Sequence, residues 1–134
     1  MIPSRRDAYR RLAWDAKASC MSDARWRKVL GAIADAELGL CHASWKFLDS
    51  DQLHDWGVPD RNHILPSRLA DGRFQPEEYR WIEWIHFPRS WHPDPASAFA
   101  YEQDLEGLKR VLDSVGKLQV REDERGLTLF GYVR

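Results

Sequence analysis

Between Tyr79 and Pro88 the chain reads Tyr-Arg-Trp-Ile-Glu-Trp-Ile-His-Phe-Pro, and this stretch limits the fold more than any other. Aromatic and β-branched residues at nearly every position suit a pleated surface packed on both sides. Alternation along the whole stretch sets Tyr79, Trp81, Glu83, Ile85 and Phe87 on one face and Arg80, Ile82, Trp84 and His86 on the other. Pro88 cannot donate to a ladder and marks the strand's end. The expectation is the central strand of a small sheet, with one carboxylate, Glu83, among large apolar neighbours.

Helical periodicity occurs on both sides of this strand. Ser4 to about Lys17 reads as a first helix with a thin apolar stripe (Tyr9, Leu12, Ala13, Ala16) and Arg5, Arg6, Arg10 and Arg11 around it. A second starts at Ser22 or Asp23, buries Trp26, Val29, Leu30 and Ile33, and stops before Gly39. A third spans Pro95 to about Val115, where Tyr101, Leu105, Leu108, Leu112 and Val115 recur at helical spacing and Gly116 closes the end.

Two further regions alternate as strands. Leu40 to Leu48 puts Cys41, Ala43, Trp45 and Phe47 in an apolar row and His42, Ser44, Lys46 and Leu48 in the other. Leu118 to Arg121 and Leu127 to Val133 form a hairpin around Glu122 to Gly126, with Leu127, Leu129, Gly131 and Val133 as its core row. From Asp49 to Pro76 turn residues break the pattern. Within that segment, Leu53 to Trp56 reads as a helical turn and His63 to Leu69 as a short edge strand. The sum is a single α+β domain over 1–134, with an antiparallel or mixed sheet of about four strands and about three helices packed on it.

A chain of 134 residues supports one core without staples, and 43% hydrophobic with 31% charged residues is a globular balance. A net charge of -1 provides no field for recruiting nucleic acid or an anionic membrane. There is no apolar run of the ~20 residues a spanning helix needs, and no secretory leader pattern follows the N-terminus. Cys20 and Cys41 lie far apart and read as free thiols, so a cytoplasmic location is expected. The seven tryptophans stand out, because this residue is enriched in cores and at interface hot spots.

Three segments carry a resemblance. The tryptophan helix from Ala24 to Leu30, the strand Tyr79-Arg80-Trp81-Ile82-Glu83-Trp84 and the terminal Gly131-Tyr132-Val133-Arg134 together resemble a family of small uncharacterised bacterial proteins. That family carries a Y-x-x-I-E-W strand and a C-terminal G-Y-x-R. The resemblance covers residues 22–134 and leaves residues 1–20 as an N-terminal helical addition. Small tryptophan-rich α+β proteins of this sort are similar in type to the immunity proteins encoded beside bacterial toxins. The resemblance implies a non-catalytic protein that binds a bacterial toxin or effector and needs no cofactor; a phage-encoded inhibitor of a defence system would have the same character.

Among the residues themselves, Glu83 requires a partner if it is ionised on a central strand, and Arg80, Arg61, Arg68, Arg73 or Arg134 could provide one. The catalytic alternative makes Glu83 the centre of a small enzyme or ligand-binding domain, with Tyr79, His86 or Tyr132 assisting. No pair of the five histidines has HxH or HxxxH spacing, and no nucleotide-binding or hydrolase motif is present, so no metal site is assigned. For a binding protein, Trp56 and Trp91 are candidate anchors, with Asp51, Asp55, Asp60, Glu83 and Tyr132 at the contact surface. If the helices cover mainly one face of the sheet, the other carries Phe130, Tyr132 and one row of the central strand as an aromatic patch. The equal alternative is that the first helix and the irregular segment cover that face and make a two-sided core. Nucleic-acid binding through the arginines of the first helix ranks below both.

Overall fold

The computed structural model describes residues 18–40, 42–48, 50–66, 68–71, 74–92, 96 and 98–133. The helix expected over Ser4 to Lys17 lies outside them. Two α-helices are described, α1 (Asp23–Ala36) and α2 (Leu105–Val115), where about three were expected. Ser22 caps α1, its side chain accepting from the Arg25 N–H at 3.1 Å. The helix ends at Glu37, which takes a left-handed conformation with φ 49° two residues before Gly39.

The main sheet has five strands in the order β3 (His54–Trp56), β2 (Ala43–Phe47), β6 (Ile82–Pro88), β10 (Gly126–Phe130), β9 (Val120–Glu122), and every pairing is antiparallel. Three two-stranded pieces surround it. These are β1 (Ala18–Ser19) with β11 (Tyr132–Val133), β4 (Arg68–Asp71) with β5 (Phe74–Glu78), and β7 (Ser90–Trp91) with β8 (Tyr101–Glu102). Both helices cover one face of the main sheet. The core joins Trp26, Leu30 and Ile33 of α1 and Leu105, Leu108 and Leu112 of α2 to Trp45, Phe47, Ile82, Ile85, Phe87, Leu127 and Leu129 of the strands.

Tyr79-to-Pro88 does supply the central strand, but not as one regular ribbon. Tyr79–Trp81 form a single 3₁₀ turn. This lets the fully buried Tyr79 send its hydroxyl to the Leu65 carbonyl at 2.6 Å. The register of β6 against β2 then slips: Trp84 faces Lys46, but Ile82 faces Phe47. Glu83 is the extra residue of this β-bulge. The slip reverses the phase of the strand, so Ile82 joins Ile85 and Phe87 in the core instead of standing on the opposite face.

Other expectations fail for similarly local reasons. Leu53 to Trp56 is no helical turn; His54–Trp56 pairs along β2, with Ala43 opposite Trp56. His63 to Leu69 divides into a 3₁₀ turn at Arg61–His63 and the strand β4, which pairs with β5. The third expected helix begins at Leu105, not near Pro95. Asp104 is its N-cap, accepting from the Gly107 N–H at 2.8 Å, and Tyr101–Glu102 pair with Ser90–Trp91. The last strand breaks at Gly131, whose N–H donates to the Glu83 carbonyl at 2.7 Å. A Cβ there would sit 2.3 Å from the Ile82 carbonyl oxygen, so only glycine allows the approach. Beyond the break Tyr132, instead of facing out, is buried and donates its hydroxyl to the Arg80 carbonyl at 2.7 Å.

Candidate functional site: the open face of the sheet

The strands that bury Trp45, Ile85 and Leu129 under the helices turn their alternate residues the other way. The registers place Asp55 of β3, Ser44 of β2, His86 of β6, Thr128 of β10 and Arg121 of β9 opposite one another in turn, a polar row across the whole sheet. A second row runs beside it, with Lys46 opposite Trp84 and Trp84 opposite Phe130. Hydrogen bonds fix the first row: Ser44 donates from Oγ to Asp55 Oδ1 at 3.1 Å, and His86 Nδ1 lies 2.9 Å from Thr128 Oγ1. The Arg121 guanidinium sits over the Phe130 ring at 5.5 Å.

A groove of about 280 Å³ lies on this face. Ser44, Trp84, His86, Thr128 and Phe130 line its base, and Leu53, Arg121, Asp123 and Arg125 form its rim. The Asp123 Oδ1 accepts from the backbone N–H groups of Arg125 (2.9 Å) and Gly126 (3.2 Å), closing the β9–β10 turn. Those backbone donors, the Arg125 N–H first, hold the Asp123 carboxyl below its ordinary value. Burial pushes the His86 imidazole below its ordinary value. The nearby Asp123 charge works against that shift, while Arg125, Arg121 and His42 add to it.

At one end the face continues into an aromatic stack. The His42 ring lies parallel to Trp91 at 5.0 Å, and Trp91 lies near Tyr101 at 6.0 Å. Phe99 meets Tyr101 edge-on at 4.9 Å. Phe99 and Tyr101 are 59% and 46% exposed, so the stack ends in water. Gln103 holds its base in place. This buried amide accepts from the His42 N–H at 3.0 Å and donates to the carbonyls of His42 (3.1 Å) and Pro88 (2.7 Å).

The residues singled out from the sequence are distributed as follows. Trp91 lies in the aromatic stack, and Asp55 is beside it, 3.6 Å from His42 Nε2. Glu83 borders the open face: its carboxylate accepts from Lys46 Nζ at 3.3 Å, and the two side chains are only 8% and 13% exposed. Trp56 packs near Trp45, Phe47 and His54, on the core side of β3. Asp51 is exposed between β2 and β3, Asp60 is exposed beside α1 near Val58 and Leu38, and Tyr132 is buried. Tyr79, Glu83, His86 and Tyr132 are therefore not gathered into one catalytic set. Burial pushes the Tyr79 hydroxyl up to about 12, and its proton is committed to Leu65.

Two of the expected arginine partners are used elsewhere, Arg80 with Glu78 at 3.1 Å and Arg61 in an ion pair with Asp35. Lys46 was missed as the partner of Glu83, although it stands in the polar row of its strand. Ser44, Thr128, Arg121 and Arg125 were also missed. Their signal in the sequence is slight: a hydroxyl in each polar row and two arginines around an Asp-Glu-Arg-Gly turn. Among the described residues no group of three histidine, cysteine or acidic side chains is placed to hold a metal ion, and no helix is long and apolar enough to cross a membrane. Cys20 is a free thiol. No family model matches the chain, and no curated protein or solved structure is significantly similar to it.

Proposed function

We propose that this protein is a non-catalytic binding module whose recognition surface is the open sheet face together with the Trp91 stack, acting as an immunity-type inhibitor of a bacterial toxin or effector. The observation that carries the proposal is the asymmetry of the sheet. One face is sealed by α1 and α2, while the other presents Trp84, Phe130, Trp91, Tyr101 and Phe99 among arginines and aspartates. Aromatic anchors with arginine in a polar rim are the composition of protein interfaces. The likeness in type to immunity proteins points the same way. The contact surface is nevertheless of mixed sign, with Arg121 and Arg125 beside Asp55 and Asp123. A partner with a uniformly basic surface fits it less well than one carrying both charges.

The test is affinity capture of tagged protein from its native cells, wild type beside Trp91→Ala and Trp84→Ala. The expected result is one stoichiometric toxin or effector whose toxicity the wild type suppresses. Each substitution should weaken its affinity by about 30-fold or more, the scale of a hot-spot loss near 2 kcal/mol. A partner held equally well by both variants would place the interface elsewhere.

Glu83 as a catalytic centre finds less support. It is joined to Lys46 and is not among the residues lining the groove. A ligand site on this face belongs instead to the groove.

A further inference from the structure

The groove holds an unusual set of uncommitted donors. Neither the Arg121 nor the Arg125 guanidinium makes an ion pair or hydrogen bond among the described residues, and the Trp84 indole N–H has no acceptor there. His86 uses Nδ1 on Thr128 and leaves Nε2 open. The one acid of the rim, Asp123, has an oxygen occupied by two backbone N–H groups. Two fixed positive charges against one negative charge, with nitrogen donors from two strands and a turn, select for an oxyanion. Phe130 lies under the Arg121 guanidinium and helps hold it at the groove, while Trp84 and Leu53 provide apolar surface beside the donors.

We propose that this groove binds a small organic acid with a flat ring, its carboxylate or phosphate held between Arg121 and Arg125 and its ring laid along Trp84 and Leu53. Size supports the assignment. A cavity of about 150 Å³ accommodates benzene, so the 280 Å³ of the groove suits one or two rings with an acidic group. A long polyanion does not fit the same observations, because the groove is short and the whole chain carries a net charge of -1. The groove shares Trp84, Phe130, Arg121 and Arg125 with the proposed docking surface, but small-acid binding needs no protein partner, so the titration below and the capture experiment can fail separately.

The experiment is titration of isotope-labelled full-length protein with indole-3-acetate, phenyl phosphate and neutral indole-3-acetamide, followed by NMR and calorimetry. One or both acids should bind with Kd of about 1 mM or tighter and move the Trp84 indole N–H and Thr128 signals. The amide should bind about 10- to 100-fold more weakly, and Arg121→Gln and Arg125→Gln should each cost a similar factor. Arg110→Gln, on the exposed side of α2, should leave affinity unchanged. The stronger of the two acids identifies the oxyanion the site prefers. Equal binding of acid and amide, acid binding untouched by both groove substitutions, or no acid binding would each overturn the proposal. The same spectra report whether each variant remains folded.

Discussion

Glu83 and Lys46 form a charge pair that solvent barely reaches, at 8% and 13% exposure. Such a pair contributes little net stability, because desolvation offsets most of the attraction, but removing one charge leaves the other stranded. Glu83→Gln is therefore expected to lower unfolding free energy by about 3–5 kcal/mol, read by denaturant titration. Replacing both residues with apolar ones of similar volume should recover most of that loss. A Glu83→Gln protein as stable as wild type would show that the pair is not what keeps the carboxylate in place. That Glu83 needed a partner was legible from its apolar neighbours. Which partner was not, because Lys46 is 37 positions away and meets Glu83 only through a bulge that no local pattern announces.

At the scale of elements, sequence periodicity was most informative where one face is buried against the core. The stripe of α1 and the alternation of β2 follow it, as does the Leu105, Leu108, Leu112 face of α2. Leu108 is wholly buried between the helices and the sheet. Leu108→Ala should cost about 2–5 kcal/mol, measurable as a shift in the urea midpoint without a change in slope. A neutral substitution would place that face of α2 outside the core. Periodicity misled at Tyr101, which falls in step with the stripe yet lies on β8, because the Asp104 cap and the pairing with β7 fix the chain before the helix begins. The buried Gln103 amide reinforces that entry with bonds to backbone 61 and 15 positions away. Non-local bonds of this kind leave no trace in a hydrophobic pattern.

For the whole molecule, the α+β plan was readable from which rows were apolar, whereas the groove required the strand order. Its histidine gives a pH signature. Burial holds His86 below the ordinary 6.5, so the unfolded chain takes up this proton at a higher pH than the folded one. The contribution of neutral His86 to stability is thus fully present above about 6.5 and is lost as pH falls from there toward the folded value. Thermal melting of wild type between about pH 7.5 and about pH 5.5 should decline more steeply than that of His86→Gln, and parallel curves would contradict this assignment. The margins of the main sheet also have a consequence. It ends in β3 and β9, each only three residues long and each bearing charge, Asp55 on one and Arg121 with Glu122 on the other. Exposed strand edges recruit further strands from neighbouring molecules unless they are short or charged. Edges this short and charged offer neighbouring chains little backbone to pair with, so the main sheet resists growing sideways by strand addition.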